Sequence, residues 1–176
     1  TTNPTSTTIF KAMICMKTRN PIIFSFHPSA EKCSAATAKV VYDAAIKAGA
    51  PADCIQWVEG VSMEKTAELI NHPEVAVVLA TGGAAMVKAA YSTGKPALGV
   101  GPGNVPAYIE KTANIKRAVN DIIVSKTFDN GMICASEQAA IVDSEIYDEV
   151  KKEFQLHNVY FAKPEEIQQL EDVVMN

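Results

Sequence analysis

The sequence predicts an α/β protein whose first part is a doubly wound parallel sheet. Three observations predict it. Short apolar runs rich in β-branched residues recur along the chain, as buried parallel strands require. Each is followed by a segment with apolar residues at helical spacing. Strand and helix alternate about every 25 residues, the rhythm of βαβ units.

The elements follow in order. Asn3-Pro4 reads as a turn. Ile22–Phe26 is an apolar run ended by His27-Pro28 and predicts the first strand. Ser29 is placed to cap a helix carrying Cys33, Thr37, Val40, Val41, Ala44 and Ala48, which Gly49 stops. Cys54–Val58 predicts a second strand that runs to Gly60, and Ser62 opens a short helix that His72-Pro73 terminates. Val75–Ala80 predicts a third strand, and Thr81-Gly82-Gly83 turns it into a helix through Met86, Val87, Ala89 and Ala90. Lys95–Val100 predicts a fourth strand.

After Pro106 the pattern changes. Ile115–Phe128 predicts a helix, Ala139–Val142 a strand, and Asp143 or Ser144 caps a helix through Ile146, Tyr147, Val150 and Phe154. Glu165–Val173 predicts a last short helix. Lys151-Lys152-Glu153 reads as a solvated helix face and His157 as a solvated residue.

Bulk properties narrow the function. The chain has 176 residues, 48% of them hydrophobic, which is enough for a buried core. A net charge of −4 argues against nucleic acid and anionic membranes as partners. Backbone amides and helix N-termini can still bind an anionic cofactor. Four cysteines, Cys15, Cys33, Cys54 and Cys134, lie far apart with no histidine at zinc spacing. Their pattern predicts neither a zinc site nor a disulfide framework, and a reducing cytoplasm is the expected compartment. No run approaches the roughly 20 apolar residues of a membrane span, and none has the signal-peptide pattern. Thr1-Thr2-Asn3-Pro4 reads as the interior of a longer polypeptide.

In a doubly wound sheet, ligands sit beyond the carboxyl ends of the strands. Those ends are His27-Pro28, Gly60, Thr81-Gly82-Gly83 and Val100-Gly101-Pro102-Gly103. Thr81-Gly82-Gly83 ends a strand and starts a helix, so free N–H groups there could receive a pyrophosphate. The same residues equally suit an ordinary glycine βα turn. Gly99–Gly103 is a poor dinucleotide fingerprint, because Pro102 and Pro106 delay any helix. It also reads as a tight turn where backbones pass closely. Cys134 follows the Asp129-Asn130-Gly131 turn among small and polar residues, where a thiol can be exposed enough to react. A buried, inert cysteine would fit the local sequence too.

Taken together, these residues resemble the aldehyde dehydrogenase superfamily over essentially the whole chain, and most nearly its CoA-acylating branch. Within that branch the match is to the aldehyde half of bifunctional aldehyde–alcohol dehydrogenases. The carriers are Thr1–Thr7, His27-Pro28, Leu79–Gly83, Lys95–Asn104 and the string Ser125–Gln138, the most specific of the set. The resemblance implies a cofactor domain over 1–102, incomplete at its start, and the beginning of an α/β catalytic domain over 103–176. It implies Cys134 as nucleophile, with Asn3 and the Cys134 N–H as oxyanion donors. It places His27 where hydrolytic relatives use a lysine near the adenosine ribose, and Pro28 and Gly60 join the cofactor site as strand-end residues. Thr81, Gly82 and Gly83 face the phosphates, and Val100, Gly101 and Pro102 pass the nicotinamide.

Two departures matter. Hydrolytic relatives have a glutamate general base where this chain has Val100, so the acyl-enzyme would wait for the thiol of CoA. Ala30 stands where NAD-preferring hydrolytic relatives often have a glutamate, which leaves NADP open beside NAD. The implied reaction joins acetaldehyde or another short aldehyde, CoA and NAD+ to give acetyl-CoA and NADH, reversibly, through a cysteine thioester. The alternatives are a hydrolytic or phosphorylating relative, and a segment serving mainly as an assembly scaffold. The resemblance also implies fermentation in the cytoplasm, a homo-oligomer or filament of the full-length protein, no metal in this segment, and little activity from this segment alone.

Overall fold

The computed structural model describes residues 2–175, so Thr1 of the quoted string lies outside the described residues. The chain divides into two compact units, Thr1–Pro102 and Gly103–Asn176.

The first unit opens with α1 (Pro4–Lys17), where a turn was expected. Proline suits the first helical position, because its missing N–H has no helical partner to lose. Then come β1 (Ile22–Phe24), α2 (Glu31–Lys47), β2 (Ile55–Trp57), α3 (Met63–Asn71), β3 (Val78–Thr81), α4 (Ala84–Tyr91) and β4 (Ala97–Val100). Every predicted strand of this unit is present and shorter than its apolar run. The ladders set the ends: β1 pairs with β2 from Ile22↔Ile55 to Phe24↔Trp57, and β3 with β4 from Val78↔Ala97 to Thr81↔Val100. Both pairings are parallel, as the alternation predicted. The ladders form separate two-stranded pairs rather than the one continuous sheet expected.

The helix boundaries have local causes. Glu31 in the first turn and Lys47 in the last complement the α2 dipole. Gly49, at φ +91°, takes the left-handed position just beyond that helix. Ser62 caps α3 by accepting from the Lys65 N–H at 3.2 Å. Ser29 does not cap α2. It sits inside a 3-10 turn, Pro28–Ala30, whose cap is the His27 ring.

Two apolar clusters hold this unit. One joins Ala12 and Cys15 of α1, Ala38 of α2, Ile22, Phe24, Phe26 and Ile55, with Leu79 packed against it. The Phe24 and Phe26 rings stack at 5.2 Å. The other joins Ile70, Val78, Ala80 and Ala90. Gly99 lets α4 lie directly on β4: a Cβ there would fall 2.7 Å from Val87 Cγ1 and 2.8 Å from Tyr91 Cε2. The Tyr91 hydroxyl accepts from the Gly99 N–H at 3.1 Å.

The second unit contains β5 (Pro106–Ile109), α5 (Ile115–Thr127), β6 (Ala139–Val142), α6 (Tyr147–Leu156) and α7 (Pro164–Met175). Strand β5 went unpredicted, and it pairs in parallel with β6 from Pro106↔Ala139 to Ile109↔Val142. Asn114 caps α5 through the Arg117 N–H at 3.1 Å. Of the two proposed caps ahead of α6, Asp143 does the work, accepting from the Glu145 N–H of a 3-10 turn that leads into it. Ile109, Val119 and Val150 form the buried centre. Glu153 and His157 pair at 3.4 Å, and Lys151 lies 5.2 Å from the Phe161 ring centre, so that helix face is more engaged than expected. Among the described residues, no helix is long and apolar enough to cross a membrane.

Candidate active site

The first unit gathers the predicted cofactor residues at strand ends. His27 follows β1 directly, and its Nδ1 accepts from the Ser29 N–H at 3.3 Å with the Ser29 hydroxyl 2.7 Å away. A ring whose Nδ1 accepts carries its proton on Nε2, leaving that N–H for another partner. Pro28 begins the 3-10 turn. Gly60, beyond β2, has φ +59° and donates its N–H to Glu31 Oε1 at 2.8 Å. That bond ties the loop after β2 to the start of α2.

Thr81 is the last residue of β3, and Gly83 caps α4 with no side-chain bond to the helix. A Cβ on Gly83 would meet nothing within 4 Å, so the space before the α4 N-terminus is open. Such a terminus offers unpartnered N–H groups and the positive end of the helix dipole, which fits a pyrophosphate. Gly82 donates to the Val100 carbonyl at 3.0 Å, continuing the β3–β4 ladder past its last residue pair. Val100 is 52% exposed and presents no group that can take a proton from water. Gly101 and Pro102 follow it.

Asn3 stands at the cap position of α1 but makes no side-chain bond to that helix. Its Oδ1 accepts instead from the Thr2 hydroxyl at 2.9 Å, and its backbone carbonyl serves the helix. Among the described residues, the side-chain amide is thus left as a donor.

The second unit carries the cysteine. The chain leaves α5 at Phe128 and passes through three successive left-handed residues: Asp129 (φ 51°), Asn130 (φ 53°) and Gly131 (φ 71°). Aspartate, asparagine and glycine tolerate this region best. A turn closed by Ser136 N–H on the Ile133 carbonyl at 3.0 Å follows, with Cys134 inside it. Cys134 is exposed and in no disulfide, whereas Ser136 is buried. A shallow groove of about 280 Å³ lies alongside, lined by Val124, Ser125, Phe128, Ile133, Ala135 and Ser136. Glu137 has a buried Oε2 with no hydrogen-bond partner among the described residues.

One neighbour of Cys134 escaped the sequence reading. Gly103 lies so close that a Cβ would strike the Cys134 carbonyl oxygen and sit 3.1 Å from its Cα. The sequence offered a glycine in a close-passing turn and gave no sign of which segment it met.

Parallel strand pairs with glycine turns at their carboxyl ends, and an exposed thiol on a separate α/β unit, are the features that the expected aldehyde dehydrogenase class combines. The aldehyde dehydrogenase family model matches residues 3–160. The chain belongs to the aldehyde dehydrogenase family. It is 67% identical to aldehyde-alcohol dehydrogenase 2 of Entamoeba histolytica, over 97% of this chain and 20% of that protein. An acetylating aldehyde dehydrogenase from Geobacillus thermoglucosidasius superposes with a TM-score of 0.88 at 54% identity, covering 99% of this chain and 39% of that one. A propionaldehyde dehydrogenase of Rhodopseudomonas palustris, solved with bound CoA and an acylated cysteine, gives 0.85 at 36% identity over 98% and 40%. The chain spans about a fifth of the length of the first of these relatives.

Proposed function

We propose that this chain is the cofactor-holding and nucleophile-bearing part of a CoA-acylating aldehyde dehydrogenase. The observation that carries this reading is Val100, an apolar side chain at the end of β4 where a hydrolytic relative would need a carboxylate. Similarity to a relative solved with CoA and an acylated cysteine supports it.

In this reading residues 1–102 bind the dinucleotide and 103–176 begin the catalytic domain. His27 and Pro28 line the ribose end with Gly60 on the same edge. Thr81, Gly82 and Gly83 hold the pyrophosphate, and Val100, Gly101 and Pro102 flank the nicotinamide. NAD is the assigned dinucleotide; Ala30 brings no carboxylate to exclude NADP. When bound, the dinucleotide supplies a hydride acceptor.

The Cys134 thiolate attacks the aldehyde carbonyl and forms a C–S bond. The carbonyl π electrons move to oxygen, where the Cys134 N–H donates to the charge, with the Asn3 amide as the second donor that the family resemblance implies. Each such donor is worth about 3–4 kcal/mol in hydrolases. Loss of hydride from carbon restores the carbonyl and leaves a thioester on Cys134. With no base at Val100 to activate water, the thioester persists until the CoA thiolate attacks it. Cys134 then leaves as thiolate. One thioester replaces another, so the transfer is nearly balanced and runs in either direction. The small apolar groove beside Cys134 suits a short aldehyde such as acetaldehyde. Oligomerisation and a cytoplasmic setting belong to the same proposal.

The test is NADH absorbance with the full-length protein carrying this chain, acetaldehyde and NAD+, with and without CoA, beside Cys134→Ala. Signal that needs both CoA and Cys134 is expected. Signal without CoA would put the hydrolytic reading in its place.

A further inference from the structure

We infer that Gly103 is a positioning residue for Cys134, setting where the nucleophile's backbone stands. The inference rests on the catalytic reading of Cys134.

The geometry of one ladder carries it. Strands β5 and β6 pair in parallel from Pro106↔Ala139 onward. The pairing extends backward through Gln138 N–H on the Val105 carbonyl at 2.9 Å. Two residues further back on one side is Gly103, and on the other the chain curls through Cys134. There the two backbones touch. The Cβ direction of Gly103 points at the Cys134 carbonyl, and a Cβ would lie 2.9 Å from its carbon and 3.1 Å from its Cα. A hydrogen fills that direction instead and directs a Cα–H at the carbonyl oxygen, a weak but directional contact.

Backbone conformation does not explain the glycine. Its φ is outside the left-handed region, so an L-residue could adopt it. The Cys134 backbone is what a side chain would strike first. Nor can the obstruction swing aside, since it is backbone, and backbone flanked by a closed turn and a strand ladder. Adding one methyl group therefore displaces Cys134 by about 1 Å. A misplacement of that size costs about 100-fold in rate when reacting atoms must meet in line.

The test compares Gly103→Ala with the unsubstituted full-length protein carrying this chain. The expected result is kcat lowered about 100-fold, with KM for aldehyde and dinucleotide unchanged and Cys134 still alkylated by iodoacetamide. Unchanged kcat overturns the inference, as does a loss confined to KM, which would mark a binding defect. If Gly103→Ala does not fold, a crystal structure of the unsubstituted protein acylated at Cys134 decides. Gly103 still touching the Cys134 carbonyl supports the inference, and a separated pair overturns it. Cys134→Ala separates the two claims: if it stays active the catalytic reading fails, whereas an inactive Cys134→Ala beside a fully active Gly103→Ala sinks the Gly103 assignment alone.

Discussion

The Lys11 ammonium donates to the Leu79 carbonyl at 2.6 Å, fastening α1 to β3 across 68 residues of sequence. The helix so fastened starts just after Asn3 at its cap position, and the strand ends at Thr81. One half-buried cation thus ties the element of the proposed oxyanion donor to that of the proposed phosphate cradle.

Lys11→Met should therefore cost about 1–3 kcal/mol, because the part-buried Leu79 carbonyl loses a charged donor. Urea denaturation of the two proteins at neutral pH measures it. An unchanged midpoint would mean that water replaces the ammonium freely.

Alkaline pH should separate Lys11 from Cys15. Burial pulls the Lys11 ammonium below its ordinary pKa, with the nearby Cys15 opposing. Burial pushes the Cys15 thiol up, with the Lys11 charge opposing. Between the lowered lysine value and about 10.4, the unfolded chain holds more protons at Lys11, so its contribution to stability rises with pH. Above about 8.5 the folded chain holds more protons at Cys15, so the thiol's contribution falls. Lys11→Met keeps only the falling part and Cys15→Ala only the rising one. Across that window Lys11→Met should lose stability relative to Cys15→Ala, read by denaturation at a series of pH values.

Gly99→Ala should destabilise the first unit by about 1–3 kcal/mol through overpacking. The new methyl meets Val87, whose branched side chain has little rotational freedom. Tyr91→Phe, which removes only the hydroxyl bonded to Gly99, should cost about 0.5–1.5 kcal/mol. Thermal melts of both variants rank them, and the reverse order would mean that the hydroxyl matters more than the fit.

Brief iodoacetamide treatment of native protein should label Cys33 and Cys134 and spare Cys15 and Cys54, following their exposure. Peptide mass spectrometry reads the sites. In the full-length protein, acyl-CoA should protect Cys134 and leave Cys33 reactive; equal protection of both would argue against a thioester on Cys134.

Periodicity located most of the fold. Strands β1 to β4 and helices α2 to α4 follow from apolar runs alternating with helical spacing, and β6 matches its predicted ends. Helix α1 stayed hidden because Asn3-Pro4 is a turn signal as well as a helix start. Its apolar residues also blur the stripe, with Ile9, Phe10, Met13 and Ile14 all exposed. Strand β5 stayed hidden because it is four residues long and begins with a proline. The ladders, not the apolar runs, fix the strand ends: the third and fourth runs start too early, the first two run too long, and β3 continues one residue past its run. Ser29 looked like a cap by type, but it lies inside the Pro28–Ala30 turn and its hydroxyl pairs with the His27 ring.

At the site, the sequence marked the cysteine and the glycine turns, since their residue types are constrained by local geometry. It could not mark Gly103 as the neighbour of Cys134, because that relationship arises only when β5 and β6 pair.

The left-handed run at 129–131 also limits what mutation can do there. A β-branched or bulky residue at any of the three positions is strained by its own backbone, at about 1–2 kcal/mol each, and at Gly131 a Cβ would also lie 3.1 Å from the Lys126 carbonyl oxygen. A library randomised at these positions and selected for folding should therefore return mostly glycine, asparagine and aspartate. The short vocabulary of the turn would then reflect chain handedness rather than chemistry, and a drifting sequence could vary Met132 or Ala135 long before it varied the turn.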